Sequence, residues 1–290
     1  MPTHRFAVLS DIHGNIPALE TVLAHAASQD VDDYLIAGDL VGGPEGDAVV
    51  ERLEPYRHNT IKGNNEEYLI DFHHDAVTAA QRESQQWAFS RACHARSEGK
   101  VLDTLAALPP RVTCQAEGST AVCMVHGSTR SSSEPLGPEL DTGRLEQVLE
   151  EISESVLICG HTHQSWTFRG DAGLALNPGS VGGACNDDNR AQYAILQWED
   201  GNWHVEHHAV AYDLTLVTRL YVDTGFVEEA GPMARAQLEG IHYADLTMGD
   251  LVHHARNLAA AAGKEASPIV ADDIWEQAVD TFSWKMPPPV

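Results

Sequence analysis

The sequence predicts an α/β fold, and three observations carry that reading. Phe6-Ala7-Val8-Leu9, Tyr34-Leu35-Ile36-Ala37, Ala121-Val122-Cys123-Met124-Val125 and Val156-Leu157-Ile158-Cys159 are short continuous apolar runs, as expected of strands buried on both faces. Ile16-Pro17-Ala18-Leu19-Glu20 opens an amphipathic helix after the first run, and Asp30-Val31-Asp32-Asp33 turns the chain back into the second. The amino-terminal part therefore reads β-α-β, with a parallel start to the sheet. Beyond Tyr212-Asp213 the periodicity becomes purely helical.

The remaining elements follow in chain order. A strand is expected over Asn59 to Lys62, with Arg57 and His58 just before it. Residues 66 to 107, rich in Ala, Gln, Glu and Arg, read as helices that stop before Pro109-Pro110, because proline ends a helix. Strands are then expected near 111–116, 121–126, 155–159, 165–169, 172–176, 191–198 and 203–210. The segment from Gly127 to Gly143, with Ser131-Ser132-Ser133, is a long loop inside a compact region and a candidate substrate lid. Asp213 is a plausible N-cap for a helix carrying Leu214, Val217, Leu220 and Tyr221 at helical spacing. Further helices are expected near 246–261 and 272–284, separated by Gly263 and Ser267-Pro268. The domain reading is a catalytic unit over 1–212 and a helical extension over 213–290. With few large apolar residues, the extension is expected to pack on the catalytic unit, near the site or at a homodimer interface.

The chemistry lies where the apolar runs end. Asp11-Ile12-His13, Gly38-Asp39, Gly63-Asn64-Asn65-Glu66, His126-Gly127 and Gly160-His161-Thr162-His163 supply three oxygen ligands and four imidazoles. That is enough for two metal ions sharing one carboxylate. In an extended strand end, side chains two apart point the same way, so Asp11 and His13 are expected to reach one ion together, as are His161 and His163. Gly14, Gly38, Gly63, Gly127 and Gly160 stand where the chain must turn sharply. A mixed carboxylate, amide and imidazole set suits manganese, iron or zinc, and geometry alone does not choose among them; manganese is the first expectation.

This set, in this order, resembles the calcineurin-like metallophosphoesterase superfamily. The closer likeness is to its small bacterial and archaeal phosphodiesterase branch, because Asn177-Pro178-Gly179-Ser180-Val181-Gly182 leads into Arg190-Ala191-Gln192-Tyr193-Ala194-Ile195-Leu196. The resemblance covers roughly residues 5 to 215 and implies a four-layer α-β-β-α sandwich, two mixed sheets flanked by helices. It assigns Asp11, His13 and His163 to one metal, Asn64, His126 and His161 to the other, and Asp39 as the bridge. Asp39, Asn64 and His126 form the implied catalytic set, and a hydroxide between the ions is the implied nucleophile. The residue after Asn64 is often a histidine thought to protonate the leaving group, and here it is Asn65. An amide cannot act as that acid near neutral pH.

The resemblance implies a phosphoesterase cleaving phosphodiester or phosphoanhydride bonds in a small phosphorylated substrate such as a nucleotide. A phosphomonoesterase or phosphoprotein phosphatase, and a non-catalytic binding module on the same fold, are the alternatives. Other polar residues stay open at this level. Trp166 either stacks on a substrate base or packs in the core; Arg130 meets either a phosphate or a surface carboxylate. Asn177 is either a turn residue or a support for the ligands. His73-His74, His207-His208 and His253-His254 read as a solvated helix face or strand edge without metal, adjacent helical residues not even facing the same way.

Composition limits the partners. Lys and Arg number 18 against 43 Asp and Glu, a formal net charge of −25, which opposes attraction to nucleic-acid polymers and anionic membranes. No apolar stretch approaches the ~20 residues of a membrane-spanning helix, and the amino terminus runs into a strand instead of a signal peptide. Five scattered cysteines without a Cys-x-x-Cys pair fit a reducing compartment, so a cytoplasmic location is expected.

Overall fold

The structure is a computed structural model describing residues 3–264 and 269–286. Ser267-Pro268, expected to separate the last two helices, lie outside the described residues.

The first half holds strands β1 (His4–Leu9) and β2 (Asp33–Ile36), with helix α1 (Ile16–Ala27) crossing between them. Asn15 caps α1 by accepting a hydrogen bond from the Ala18 N–H, and Pro17 sits in its first turn, where a missing N–H costs nothing. Helices α2 (Gly46–Leu53), α3 (Asn64–His73), α4 (Ala79–Glu83), α5 (Ala88–Arg96) and α6 (Gly99–Ala107) follow, the last stopping before Pro109 as expected. Strands β3 (Arg111–Cys114) and β4 (Val122–Val125), helix α7 (Thr142–Glu151) and strands β5 (Val156–Ile158), β6 (Ser165–Arg169), β7 (Leu174–Pro178), β8 (Ala191–Glu199) and β9 (Asn202–Val210) come next. The chain closes with α8 (Leu214–Asp223), α9 (Phe226–Ala230), α10 (Pro232–Tyr243), α11 (Thr247–Ala261) and α12 (Asp272–Thr281).

The strands form two mixed sheets, ordered β2-β1-β8-β9 and β3-β4-β5-β7-β6. Within them β1–β2, β4–β5 and β5–β7 pair parallel and the other neighbours antiparallel. The period-2 alternation of a strand decides what each face meets. Phe6 and Val8 of β1 pack with Val122, Met124, Val156 and Ile158 between the two sheets. Ala7 and Leu9 turn the other way, onto Leu19, Val22 and Leu23 of α1. Cys123 and Val125 of β4 meet Leu145, Val148 and Leu149 of α7 on the far side. Two sheets face to face with helices outside is the four-layer α-β-β-α sandwich.

Three local expectations are corrected. Asn59 to Lys62 is not a strand. A 3₁₀ turn over Glu54–Asn59 delivers the chain to a single bridge between Thr60 and Ile36. The Lys62 N–H then turns to the Pro109 carbonyl, so no ladder extends. The strand expected at 172–176 starts at Leu174, because the Gly170 N–H closes a hairpin turn on the Gly173 carbonyl. The tail also holds α9 and α10, which were not anticipated separately. Gly231-Pro232 marks the start of α10, with proline in the first helical turn.

Val217, Tyr221, Phe226, Ala234, Leu238 and Ile241 join the same apolar cluster as α1 and β1. Asp213 caps α8 by accepting from the Thr215 N–H. Helices α11 and α12 add a smaller cluster around Leu251, Ile274 and the fully buried Trp275. Among the described residues, no helix is long and apolar enough to cross a membrane.

Candidate metal centre

The loops after β1, β2, β4 and β5 meet at one end of the sandwich. They are laced together by backbone hydrogen bonds: Asp11 N–H to Gly38 O at 3.1 Å, Ile12 N–H to Asp39 O at 2.8 Å and Gly160 N–H to His126 O at 2.7 Å. The side chains do not converge by extended-strand alternation, as their spacing suggested. Asp11, His13, Asp39, His161 and His163 all have positive φ, between 50° and 68°. They are half of the ten such non-glycine residues among those described. The left-handed region is costly for a residue with a Cβ, and its clustering here marks a backbone bent to aim side chains inward. Asn64 also departs from the strand-end reading, since it opens α3. Gly63 before it admits no side chain, because a Cβ there would overlap Asp39 Oδ1.

Asp11, Asp39 and His126 are almost fully buried, and His13 and Asn64 are 7% exposed. His13 Nε2 lies 3.0 Å from His163 Nε2, 3.9 Å from Asp11 Oδ1 and 3.7 Å from Asp39 Oδ2. His163 Nε2 is 3.4 Å from Asp11 Oδ1. On the other side His126 Nε2 is 3.2 Å from Asn64 Oδ1, 3.3 Å from Asp39 Oδ2 and 3.8 Å from Asp11 Oδ1. Two triads result, Asp11-His13-His163 and Asp11-Asp39-His126, each with ligand atoms within 4.8 Å of one another. Asp11 thus stands in both, whereas the resemblance gave it to one. His161 is the outlier: its ring packs edge-on against His126 at 5.5 Å, while its N–H donates to the Asp11 carboxylate.

The donor set fits divalent cations. His126 Nδ1–H donates to Ala37 O at 2.7 Å and His163 Nδ1–H to Gly183 O at 2.5 Å, which leaves each Nε2 aimed into the cluster. Such a carbonyl partner fixes the orientation a metal-binding imidazole needs. Two nitrogens 3.0 Å apart also match neighbouring ligands on one ion at bond lengths of about 2.1 Å. The electrostatics point the same way. Burial opposes charge on His126, yet Asp39 and Asp11 push its pKa up to about 10. Burial likewise opposes charge on His163, and Asp11 still raises it to about 10. Burial outweighs the carboxylates at His13, which falls to about 4, and lowers His161. Burial works against the Asp39 anion as well, but His126, His13 and the Asn65 N–H hold its pKa well below the usual range. The buried carboxylates therefore favour positive charge beside them, and metal ions would meet that demand while displacing protons.

Two residues support the ligands in ways the sequence motif did not reveal. Asn65 donates from its backbone N–H to Asp39 Oδ1 at 2.8 Å and from Nδ2 to Asp39 Oδ2 at 2.7 Å. Glu66, fully buried, accepts four backbone N–H groups: Asp39 at 2.8 Å and Gly63 at 2.6 Å on Oε2, Leu40 at 2.8 Å and Val41 at 3.1 Å on Oε1. Burial first, and then the Asp39 charge, push its pKa above the usual carboxylate range. With every acceptor position filled by an N–H, the ionised form is the one held. A glutamate at the third position of a helix, reaching back to the residue before it, is half of a capping box and was the readable signal.

The open readings divide. Asn177 does both: its Oδ1 accepts from the Gly179 N–H at 2.9 Å, closing the turn, and its Nδ2 donates to Gly160 O at 2.6 Å and Thr162 Oγ1 at 3.1 Å, clamping the loop that carries His161 and His163. Arg130 pairs with Glu134. Trp166 packs against the cluster beneath α7. Ser132 in the expected lid loop is bound to Glu67 at 2.6 Å. His253, read as solvated, lines a cavity of about 790 Å³ that also takes in His13, Asp39, Asn64, Asn65, His161 and His163.

The sequence model of the calcineurin-like phosphoesterase superfamily domain matches residues 5–201. The structure is similar to that of a metallophosphoesterase from Sphaerobacter thermophilus, 25% identical, with 82% of this chain and 99% of that one covered and a TM-score of 0.64. It shares the fold of a hypothetical protein from Pyrococcus horikoshii OT3, 18% identical over 81% of this chain and 97% of that one, with a TM-score of 0.67. Among curated proteins no match is found. The matched segment spans more than half of the chain and carries the whole cluster of buried carboxylates and imidazoles, and the chain belongs to the calcineurin-like phosphoesterase superfamily.

Proposed function

We propose that this chain is a dinuclear metal-dependent phosphoesterase acting on phosphodiester or phosphoanhydride bonds of a small phosphorylated substrate, with residues 1–212 as the catalytic unit and 213–290 completing its cavity. The observation that carries this is the pair of largely buried triads sharing Asp11, with Asp39 Oδ2 between His126 and His13 at 3.3 and 3.7 Å. On this reading Asp11, His13 and His163 hold one ion, Asn64, His126 and His161 the other, and Asp39 bridges. Manganese is the ion we favour among the manganese, iron and zinc that a donor set of oxygen and imidazole without thiolate admits. Two bound ions would lower the pKa of a water held between them and stabilise charge on the phosphoryl oxygens.

The chain's own residues do the rest. Asn65 and Glu66 hold Asp39 by its carboxylate and by its backbone, so the bridge needs no rearrangement on reaction. Asn65 has no acidic proton to give a leaving oxygen, which favours leaving groups that depart as stable anions, aryl oxides or phosphates. A cytoplasmic setting suits this reading, since all five cysteines are free thiols. The test is metal analysis and turnover of an aryl phosphodiester by the wild type and Asp39→Ala. Two ions per chain and turnover in the first, with both reduced in the second, are expected; active protein holding one ion or none would overturn the dinuclear reading.

A further inference from the structure

The metal cluster forms only one end of its cavity. The opposite wall comes from α10 and α11, beyond the segment that the superfamily domain matches. Met233, Ile241, Met248 and Val252 face the space from these helices, and Tyr68 of α3 and Phe89 of α5 complete the apolar surround. We propose that this wall is the specificity surface for the non-reacting organic group of the substrate, and that this group is flat and aromatic. The proposal rests on the phosphoesterase reading of the metal end.

Three observations carry it. First is size: about 790 Å³ lies in the range of pockets that enclose a whole organic ligand, far more than a phosphoryl group with a short alkyl chain fills. Second is chemistry. Two thioethers and two aromatic rings offer polarisable, edge-and-face contacts that suit an aromatic ring better than a sugar or a glycerol chain. Leu246, 54% exposed, extends this apolar character along the lining. Third is registration. Gln237 of α10 donates from Nε2 to Gly42 O at 2.7 Å. A Cβ at Gly42 would stand 2.6 Å from Asn65 Oδ1 and 3.2 Å from His13 Nδ1, so the wall is fastened to a loop lying directly on the metal cluster. An aromatic group against α10 and α11 is thereby held at a fixed distance from the reacting phosphorus, which is how remote binding energy raises turnover.

The test compares two diesters with one leaving group, phenyl 4-nitrophenyl phosphate and methyl 4-nitrophenyl phosphate, on the metal-loaded full chain. Burial of the phenyl ring should raise kcat/KM by at least about tenfold over the methyl ester. In Met233→Gln/Met248→Gln, and separately in Val252→Thr, that ratio should collapse toward unity, with the phenyl ester losing more than the methyl ester. A wild-type ratio near one, or a folded variant in which both esters fall together, would overturn the proposal. Calorimetric binding of phenylphosphonate against methylphosphonate separates the two readings. If neither ester is cleaved, the phosphoesterase reading fails, yet a phenyl preference lost in the variants still supports the wall, and equal affinities in the wild type refute it.

Discussion

Glu66 offers the sharpest test of how the centre is held. Its carboxylate takes the N–H groups of Asp39, Leu40, Val41 and Gly63 at 2.6–3.1 Å, with no solvent exposure. Glu66→Gln keeps the shape but replaces one oxygen by an NH₂ group, which cannot accept. Two backbone N–H groups then face another donor. A hydrogen bond to a charged group contributes about 1.5–3 kcal/mol net, so losing two costs about 3–6 kcal/mol. Against a total stability of about 5–15 kcal/mol for a typical protein, that is a large fraction. The assay is urea denaturation followed by tryptophan fluorescence, six tryptophans being available. A lower midpoint with an unchanged slope is expected, since the surface exposed on unfolding is the same. Because two of the four donors belong to Asp39 and Gly63, metal content of the folded fraction should fall as well. Glu66→Gln within about 1 kcal/mol of wild type and equally metal-loaded would refute the claim that this carboxylate holds the loops together.

Asn65→Ala removes the Nδ2 donor from Asp39 Oδ2 and leaves the backbone donor on Oδ1 in place. Metal affinity should drop by about tenfold to a hundredfold, as for other residues that orient a ligand, and titration of metal-free protein with manganese measures it; unchanged affinity would mean that the backbone N–H alone suffices. A second site is purely structural. Glu154, 6% exposed, accepts from Arg111 at 2.8 and 2.9 Å and from Thr113 at 2.6 Å, tying β3 to the turn before β5. Burial opposes its charge, but those donors hold its pKa down to about 2, below the ordinary 4.5. A depressed carboxylate stabilises the fold above its unfolded pKa, and that contribution is lost as pH falls through the folded one. The stability gap between wild type and Glu154→Gln should therefore be full above pH 4.5 and shrink steadily toward pH 2; a gap independent of pH would assign the role to packing.

The sequence by itself determined the layers and the candidate ligand set. Burial on both faces leaves a strand no polar positions, so β1, β2, β4 and β5 show themselves as unbroken apolar runs. Candidate ligands follow such runs directly, so Asp11, Asp39, His126, His161 and His163 stood out by their place after them. What sequence spacing could not supply was the backbone path. The left-handed turns at Asp11, His13, Asp39, His161 and His163 follow from loops clasping loops, as where the Asp11 N–H meets Gly38 O and the Gly160 N–H meets His126 O, and a period of two along one strand cannot foresee that. The role of Glu66 was hidden for the same reason, since two of the groups it holds lie 26 and 27 residues away on a neighbouring strand end. The cavity wall was the least legible. Met233, Met248 and Val252 carry an ordinary amphipathic helix pattern, and whether such a face meets a core or a substrate depends on where the helix docks. The Gln237 bond to Gly42, between residues 195 apart, is one of the contacts that set that docking, and only the folded chain brings the two together.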